Sequence, residues 1–240
     1  MKELRLKLLK DDVLTPLEFT VRRMVNAGYV GRDRKAVEAH IEELRREGVP
    51  PPPFVPILFP VLSNNITADH DIEVIGGKSS GEAEFVLLLD RGRIFVAVGS
   101  DHTDREIERH SIVHSKQICG NVLSTTVWDY EDLKPHWDEL LLQSWVKPKG
   151  SDEEVLYQNA PLATIISAEE IREMVMSKMV DGETDGLVIF SGTVPVLTGE
   201  VIYGRYFRSE LVDLRLNRKL KCGYNVVELD YLKDLEKIFE

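Results

Sequence analysis

The stretch GEAEFVLLLDRGRIFVAVGSDHTDRE, residues 81–106, constrains this chain more than any other. Two apolar runs, VLLL and IFVAV, flank a turn signal centred on Arg91 and Gly92 and predict a β-hairpin. A two-residue loop pairs Asp90 with Arg93, Leu88 with Phe95, Val86 with Ala97, Glu84 with Gly99 and Glu82 with Asp101. Side chains alternate along a strand, so Glu82 and Glu84 share one face. Asp101 falls on that face, across from Glu82, where cross-strand Cβ atoms stand about 5 Å apart. Gly99 is expected to leave space over the backbone opposite Glu84. An odd-length loop would instead turn Asp101 to the other face.

Like charges placed directly opposite destabilise a sheet, and converging carboxylates raise one another's pKa unless a cation neutralises them. An oxygen-only donor set suits a hard cation, Mg²⁺ first, with Mn²⁺ or Ca²⁺ as alternatives. Glu82, Glu84 and Asp101 are therefore the candidate metal ligands, forming a cup at the open end of a rigid hairpin. The competing expectation is three solvated acids at a strand end.

Elsewhere the pattern mixes both element types. LRLKLL alternates and predicts an opening strand. TPLEFTVRRMVNAG predicts a helix, with Thr15 as N-cap, Pro16 at its first position, Glu18 completing a capping box and Gly28 ending it. RDRKAVEAHIEELRREG predicts a second helix, capped by Asp33 and ended by Gly48. The extended connector VPPPPFVP then separates an N-terminal strand and helical region, residues 1–56, from a β-rich body, residues 57–240. That body alternates short β runs with helices at TDREIERHSIVHSK, opened by Thr103 and Glu106, and SAEEIREMVMSKM, opened by Ser167 and Glu170. Strands with irregularly inserted helices imply an α+β protein.

A net charge of −11 argues against a nucleic-acid or anionic-membrane surface, since both need a basic patch. Cys119 and Cys222 form no CxxC, which excludes a disulfide framework and argues against structural zinc. With no long apolar span and no signal-peptide pattern at the start, the expected location is the cytoplasm. His102 and Cys119 read as structural residues, and the three Trp of WDYEDLKPHWDELLLQSW as core packing, with an aromatic lid as the alternative.

In order along the chain, GEAEFVLLL, SDHTDREIE, HSKQICGNV and FSGTVPVLTG resemble four motifs of the fumarylacetoacetate hydrolase superfamily. The resemblance spans residues 82–199, about half the chain, and is nearest to a poorly characterised branch known as a domain of unknown function. It implies a mixed β-roll with flanking helices, usually dimeric, with a divalent metal on Glu82, Glu84 and Asp101. It also implies a small-molecule substrate: a 2-oxo acid, an acylpyruvate or a β-diketone. Hydrolysis of a C–C bond through a metal-stabilised enolate is the first expectation. Decarboxylation, hydration and isomerisation are alternatives, as is a catalytically silent metabolite-binding protein. Lys116 and Arg105 fall on the family's catalytic Lys and Arg; Arg105, Glu108, Gly192 and Thr193 fall on substrate-binding positions. Two departures stand out. Glu108 replaces a neutral Gln, and GYVGRDRKAVEAH places Arg34 where hydrolytic members carry a water-activating His. His40, about two turns further along that helix and near Glu43, becomes the candidate general base.

Overall fold

Residues 2–28 form three strands, β1 (Lys2–Lys10), β2 (Val13–Val21) and β3 (Arg23–Gly28), in a computed structural model that describes residues 1–46 and 51–233, apart from the side chains of His40, Glu43 and Leu44. The helix that the sequence predicts over 15–28 is replaced by strand. Asp11 and Asp12 both have positive φ (49° and 61°), as a two-residue hairpin turn requires, and so fold β2 back onto β1. Along β2, Leu17, Phe19 and Val21 alternate inward, a period of two that overrides the cap-like spacing of Thr15, Pro16 and Glu18. Pro16 is tolerated because β2 is an edge strand. α1 (Arg34–Arg46) does form, and the Asp33 carboxylate caps it by accepting from Lys35 N and Ala36 N. Its predicted terminator, Gly48, lies outside the described residues.

β4 (Ile57–Val61), β5 (Ile66–Thr67), β6 (Asp71–Val74) and β7 (Ser79–Ser80) lead to the hairpin strands β8 (Ala83–Asp90) and β9 (Arg93–Asp101). The hairpin has the expected register, from Asp90↔Arg93 to Glu84↔Gly99. Arg91 and Gly92 both take positive φ (49° and 74°), and Asp101 N donates to Glu82 O at 3.1 Å. Gly99 leaves no open space, contrary to expectation. A Cβ there would stand 2.5 Å from Val122 O and 2.9 Å from Val86 Cγ2. The missing side chain lets the next strand press against β9.

Beyond the hairpin come β10 (Thr103–Asp104), α2 (Arg105–Glu108), α3 (Ile112–Ile118), β11 (Asn121–Leu123), β12 (Thr126–Asp129) and α4 (Tyr130–Leu133). The helix predicted over this region is broken in two, and its cap is Asp104 rather than Thr103. Asp104 accepts from Glu106 N and Ile107 N, while Thr103 pairs with Ser80. β13 (Leu141–Pro148), β14 (Val155–Pro161), α5 (Ala168–Lys178), β15 (Leu187–Phe190), β16 (Gly204–Asp213) and β17 (Arg218–Glu228) complete the described strands and α-helices. α5 opens with the predicted Ser167–Glu170 capping box.

A ten-stranded sheet runs β2-β1-β12-β9-β8-β15-β3-β4, with β11 joining β9 to β5. Strands from both sides of the residue-56 boundary share it. A five-stranded sheet runs β14-β13-β16-β17-β6. β8 and β9 are buried on both faces. Phe85, Leu87, Val96 and Val98 face Phe207, Leu211 and Tyr224 of the second sheet. Val86, Leu88, Phe95 and Ala97 pack with Leu4, Phe19, Met24 and Val61, all from the first sheet. One face of the ten-stranded sheet thus packs on itself, which requires it to roll. Each large side chain buried this way contributes roughly 1.5–3 kcal/mol. Trp128 and Trp137 lie in this core, whereas Trp145 is half-buried beneath the Arg208 guanidinium, 3.8 Å from its ring centroid.

Candidate active site

The open end of the β8–β9 hairpin brings the three predicted ligands together. One carboxylate oxygen from each of Glu82, Glu84 and Asp101 lies within 4.8 Å of the others. Glu84 and Asp101 are buried and Glu82 is half-buried. Ser100 Oγ accepts from Glu82 N at 3.1 Å, and Gln158 Oε1 accepts from Ala83 N at 3.0 Å, so the backbone under the cup is pinned at two points.

Lys116 comes from α3 and lies directly on these acids. Its Nζ donates to Asp101 Oδ2 and stands 3.8 Å from Glu82 Oε2. Burial opposes its charge, but Asp101, Glu82 and Glu84 hold its pKa above the lysine range. Arg105, from α2, is held three ways. Nε donates to Ser80 Oγ (2.7 Å), Nη1 to Glu108 Oε2 (2.8 Å), and Nη2 lies 3.0 Å from Glu82 Oε1. Burial again works against the charge, and Glu82 and Glu108 overcome it.

Gly192 N donates to Glu84 Oε2 at 2.9 Å. Only glycine fits there: φ is +84°, and a Cβ would meet Val30 Cγ2 at 2.7 Å and Ala27 O at 2.9 Å. The Thr193 hydroxyl donates to Ala83 O (2.8 Å) and accepts from Gln158 Nε2 (2.7 Å). Both residues therefore hold the head of β8 in place.

Burial, reinforced by Asp101 and Glu82, pushes the Glu84 carboxyl well above the usual range, while Lys116 and the Gly192 N–H pull it back. Asp101 is raised too, by burial first, against the pull of Lys116. These acids suit a hard divalent cation. The donors are all oxygen, and their mutual repulsion calls for more positive charge than Lys116 brings. Orphaned polar atoms beside the cup fit the same conclusion. Asn26 is fully buried against Asp101, and its amide favours that residue's charge, yet neither polar atom makes a well-formed hydrogen bond among the described residues. Asn121 Nδ2 donates to Asp101 Oδ1 at 3.3 Å, and its own Oδ1 is left without a partner among the described residues.

Sequence reasoning missed Asn26, Tyr29, Ser80, Asn121 and Gln158. Asn26 was hidden by the helix assignment; in a strand it follows Met24 on the inward face, where a polar residue is a signal. Tyr29 follows β3 at φ 57°, half-buried, within the fields of Glu108, Lys116 and Glu82, with burial raising its phenol's pKa. His102 is sealed, with Nδ1 2.9 Å from Tyr224 Oη and Nε2 2.9 Å from Ser79 Oγ; burial lowers its pKa to about 3. Cys119 is buried, and burial pushes its thiol up to about 12. Arg34 is exposed at the start of α1. The side chains of His40 and Glu43, the candidate base and its orienter, lie outside the described residues. Among the described residues, no helix is long and apolar enough to cross a membrane.

Solved structures with the fumarylacetoacetate-hydrolase-like fold match almost the whole chain. Cg1458 with inhibitor superposes with a TM-score of 0.66 at 18% identity, covering 90% of this chain and 80% of that one. The 2-keto-3-deoxy-D-arabinonate dehydratase complexed with magnesium and 2,5-dioxopentanoate gives 0.57 at 14%, covering 91% and 85%. Fumarylacetoacetate hydrolase from psychrophilic Exiguobacterium antarcticum gives 0.56 at 17%, covering 91% and 83%. At these identities the likeness establishes the fold, an α+β roll. A comparison with curated proteins finds no match. A family model matches residues 27–224, and the chain accordingly belongs to the family described as protein of unknown function, DUF2848.

Proposed function

We propose that this chain is a divalent-metal-dependent enzyme acting on a small 2-oxo acid, acylpyruvate or β-diketone, at a bond next to its keto group. The observation that carries this reading is the convergence of Glu82, Glu84 and Asp101, two of them buried, with Lys116 placed among them. The three carboxylates would hold a cation, Mg²⁺ foremost, that supplies Lewis acidity to a chelating 2-oxo carboxylate.

The chain's own residues supply the rest. Lys116 keeps its proton and presents positive charge where negative charge develops on the substrate oxygen. Arg105 fixes the orientation of Glu82. Gly192 and Thr193 hold Glu84 and the head of β8 against distortion. C–C hydrolysis, the first reading, requires a base to activate water, and His40 is the candidate for that role. Decarboxylation, hydration or isomerisation is the second reading. Decarboxylation and isomerisation, which need no activated water, are favoured by one observation: His102, which adjoins Asp101, has both ring nitrogens engaged and burial disfavouring its charge, so it is unfit as a base. Similar folds in a magnesium-complexed dehydratase and a hydrolase support the class of chemistry.

Calorimetric titration with Mg²⁺ and Mn²⁺ tests the cup. Binding is expected in the wild type and should disappear in Glu84→Ala; equal binding in both would refute the ligand set. Turnover of acylpyruvates and oxaloacetate in the presence of metal tests the chemistry. Metal-dependent binding across that panel without turnover would indicate a metabolite-binding protein instead.

A further inference from the structure

The site carries more acid than a metal needs. Besides the three cup carboxylates, Glu108 on α2 places a fourth beside Arg105, 2.8 Å from Nη1. Two cations face these four acids, Lys116 and Arg105. A divalent ion brings the group to neutrality. The carboxylate of a bound 2-oxo acid then leaves one negative charge, and a second carboxylate would add another in a partly desolvated space.

Arg105 is poorly placed to offset that second charge. Its Nε is taken by Ser80, and its two terminal nitrogens are directed at Glu108 and Glu82. A guanidinium tethered at all three nitrogens cannot swing out to clasp a carboxylate two-pronged without giving up existing ion pairs. Glu108 stands one guanidinium away from the cup, since Arg105 bridges it to Glu82, and its side chain stays partly open to solvent.

We propose that Glu108 restricts the site to substrates with one carboxylate and an uncharged remainder, by occupying Arg105 and setting its own negative charge at the mouth of the cup. This rests on the functional reading above and deepens it: the substrate class becomes 2-oxo monocarboxylates rather than dicarboxylates.

Two five-carbon 2-oxo acids separate the outcomes. 2-Oxopentanoate and 2-oxoglutarate share the chelating head and differ at the far end, a methyl against a carboxylate. Calorimetric titration of the Mn²⁺-loaded protein should show 2-oxopentanoate binding tighter by on the order of tenfold, the scale expected for like charges about 10 Å apart near a protein surface. Glu108→Gln, which keeps the shape and removes the charge, should narrow that ratio to within about threefold while leaving Mn²⁺ affinity in place. Raising the salt concentration should narrow the wild-type ratio in the same direction, a measurement that needs no variant. Equal affinity of the wild type for both acids, or a ratio unmoved by both Glu108→Gln and salt, would overturn the inference alone. A protein that binds Mn²⁺ but neither acid would overturn the substrate class itself, and this inference with it.

Discussion

Lys116 occupies the carboxylates that a divalent cation in the proposed cup would also need. The ammonium donates to Asp101 and stands 3.8 Å from Glu82, so it supplies part of the charge that the acids require before any metal arrives. Removing one partner of a buried pair leaves an uncompensated charge, which costs about 3–5 kcal/mol. Lys116→Met should therefore destabilise the metal-free protein by about that amount. Millimolar Mn²⁺ should restore much of the loss, because a ligand that binds the native state alone stabilises it by an amount that grows with the logarithm of its concentration over Kd. Thermal melts with and without Mn²⁺ read both effects. A metal-free variant as stable as the wild type would show that Lys116 does not neutralise the cup. At this scale the sequence made Glu82, Glu84 and Asp101 legible, since strand alternation and one hairpin register sufficed. It did not reveal how Lys116 and Arg105 would be paired. Those pairings depend on α2 and α3 folding back over the hairpin, and no local periodicity encodes that return.

The hairpin was readable because its turn and its register reinforce each other: Arg-Gly fits a two-residue loop, and that loop length fixes every cross-strand partner. Residues 15–28 were misread because Thr15, Pro16, Glu18 and Gly28 imitate helix punctuation, while the deciding alternation of Leu17, Phe19 and Val21 is short and sits on an edge strand. The broken helix after Asp101 has a similar origin. Thr103 has the spacing of a cap, but pairing with Ser80 draws it into β10 and leaves Asp104 to cap α2. Gly99 shows how an element can be set by a contact that the sequence does not display. β11 approaches β9 so closely that a Cβ at residue 99 would fall 2.5 Å from Val122 O. Gly99→Ala should force β11 away from β9 and destabilise the fold by about 1–3 kcal/mol, the usual range for overpacking a core. It should also weaken Mn²⁺ binding, because Asn121 at the start of β11 pairs with Asp101 and supports its carboxylate. Urea unfolding and metal titration of this variant check both outcomes, and an alanine accepted at no cost would show that β11 is free to move.

Across the whole molecule, the two sheets are joined by the apolar core, by polar contacts near the cup such as Gln158 to Ala83 N, and by a polar pin farther away in sequence. Asp213, at the end of β16, is fully buried; His136 Nε2 lies 3.1 Å from Oδ1, and Arg218 Nε donates to Oδ2 at 3.0 Å. Arg218 in turn lies over the ring of Trp128, 4.5 Å from its centroid, so the pin runs from the five-stranded sheet to the ten-stranded one. Burial alone would raise the Asp213 pKa, but His136, the Leu216 N–H and Arg218 outweigh it and hold the carboxyl below its ordinary 3.8. The unfolded chain therefore takes up this proton more readily than the folded one. The stabilisation is complete above the unfolded value and is lost as pH falls through the lower folded value. Asp213→Asn should cost about 3 kcal/mol near neutral pH, within the range for breaking a buried pair. The gap between wild type and variant should then shrink as the pH is lowered below 3.8. Urea unfolding of both proteins at several pH values measures that gap directly, with the titrations of all other carboxylates cancelling in the difference. A gap that stays constant down to the acid limit would mean that Asp213 joins the sheets by shape and hydrogen bonding, with its charge contributing nothing.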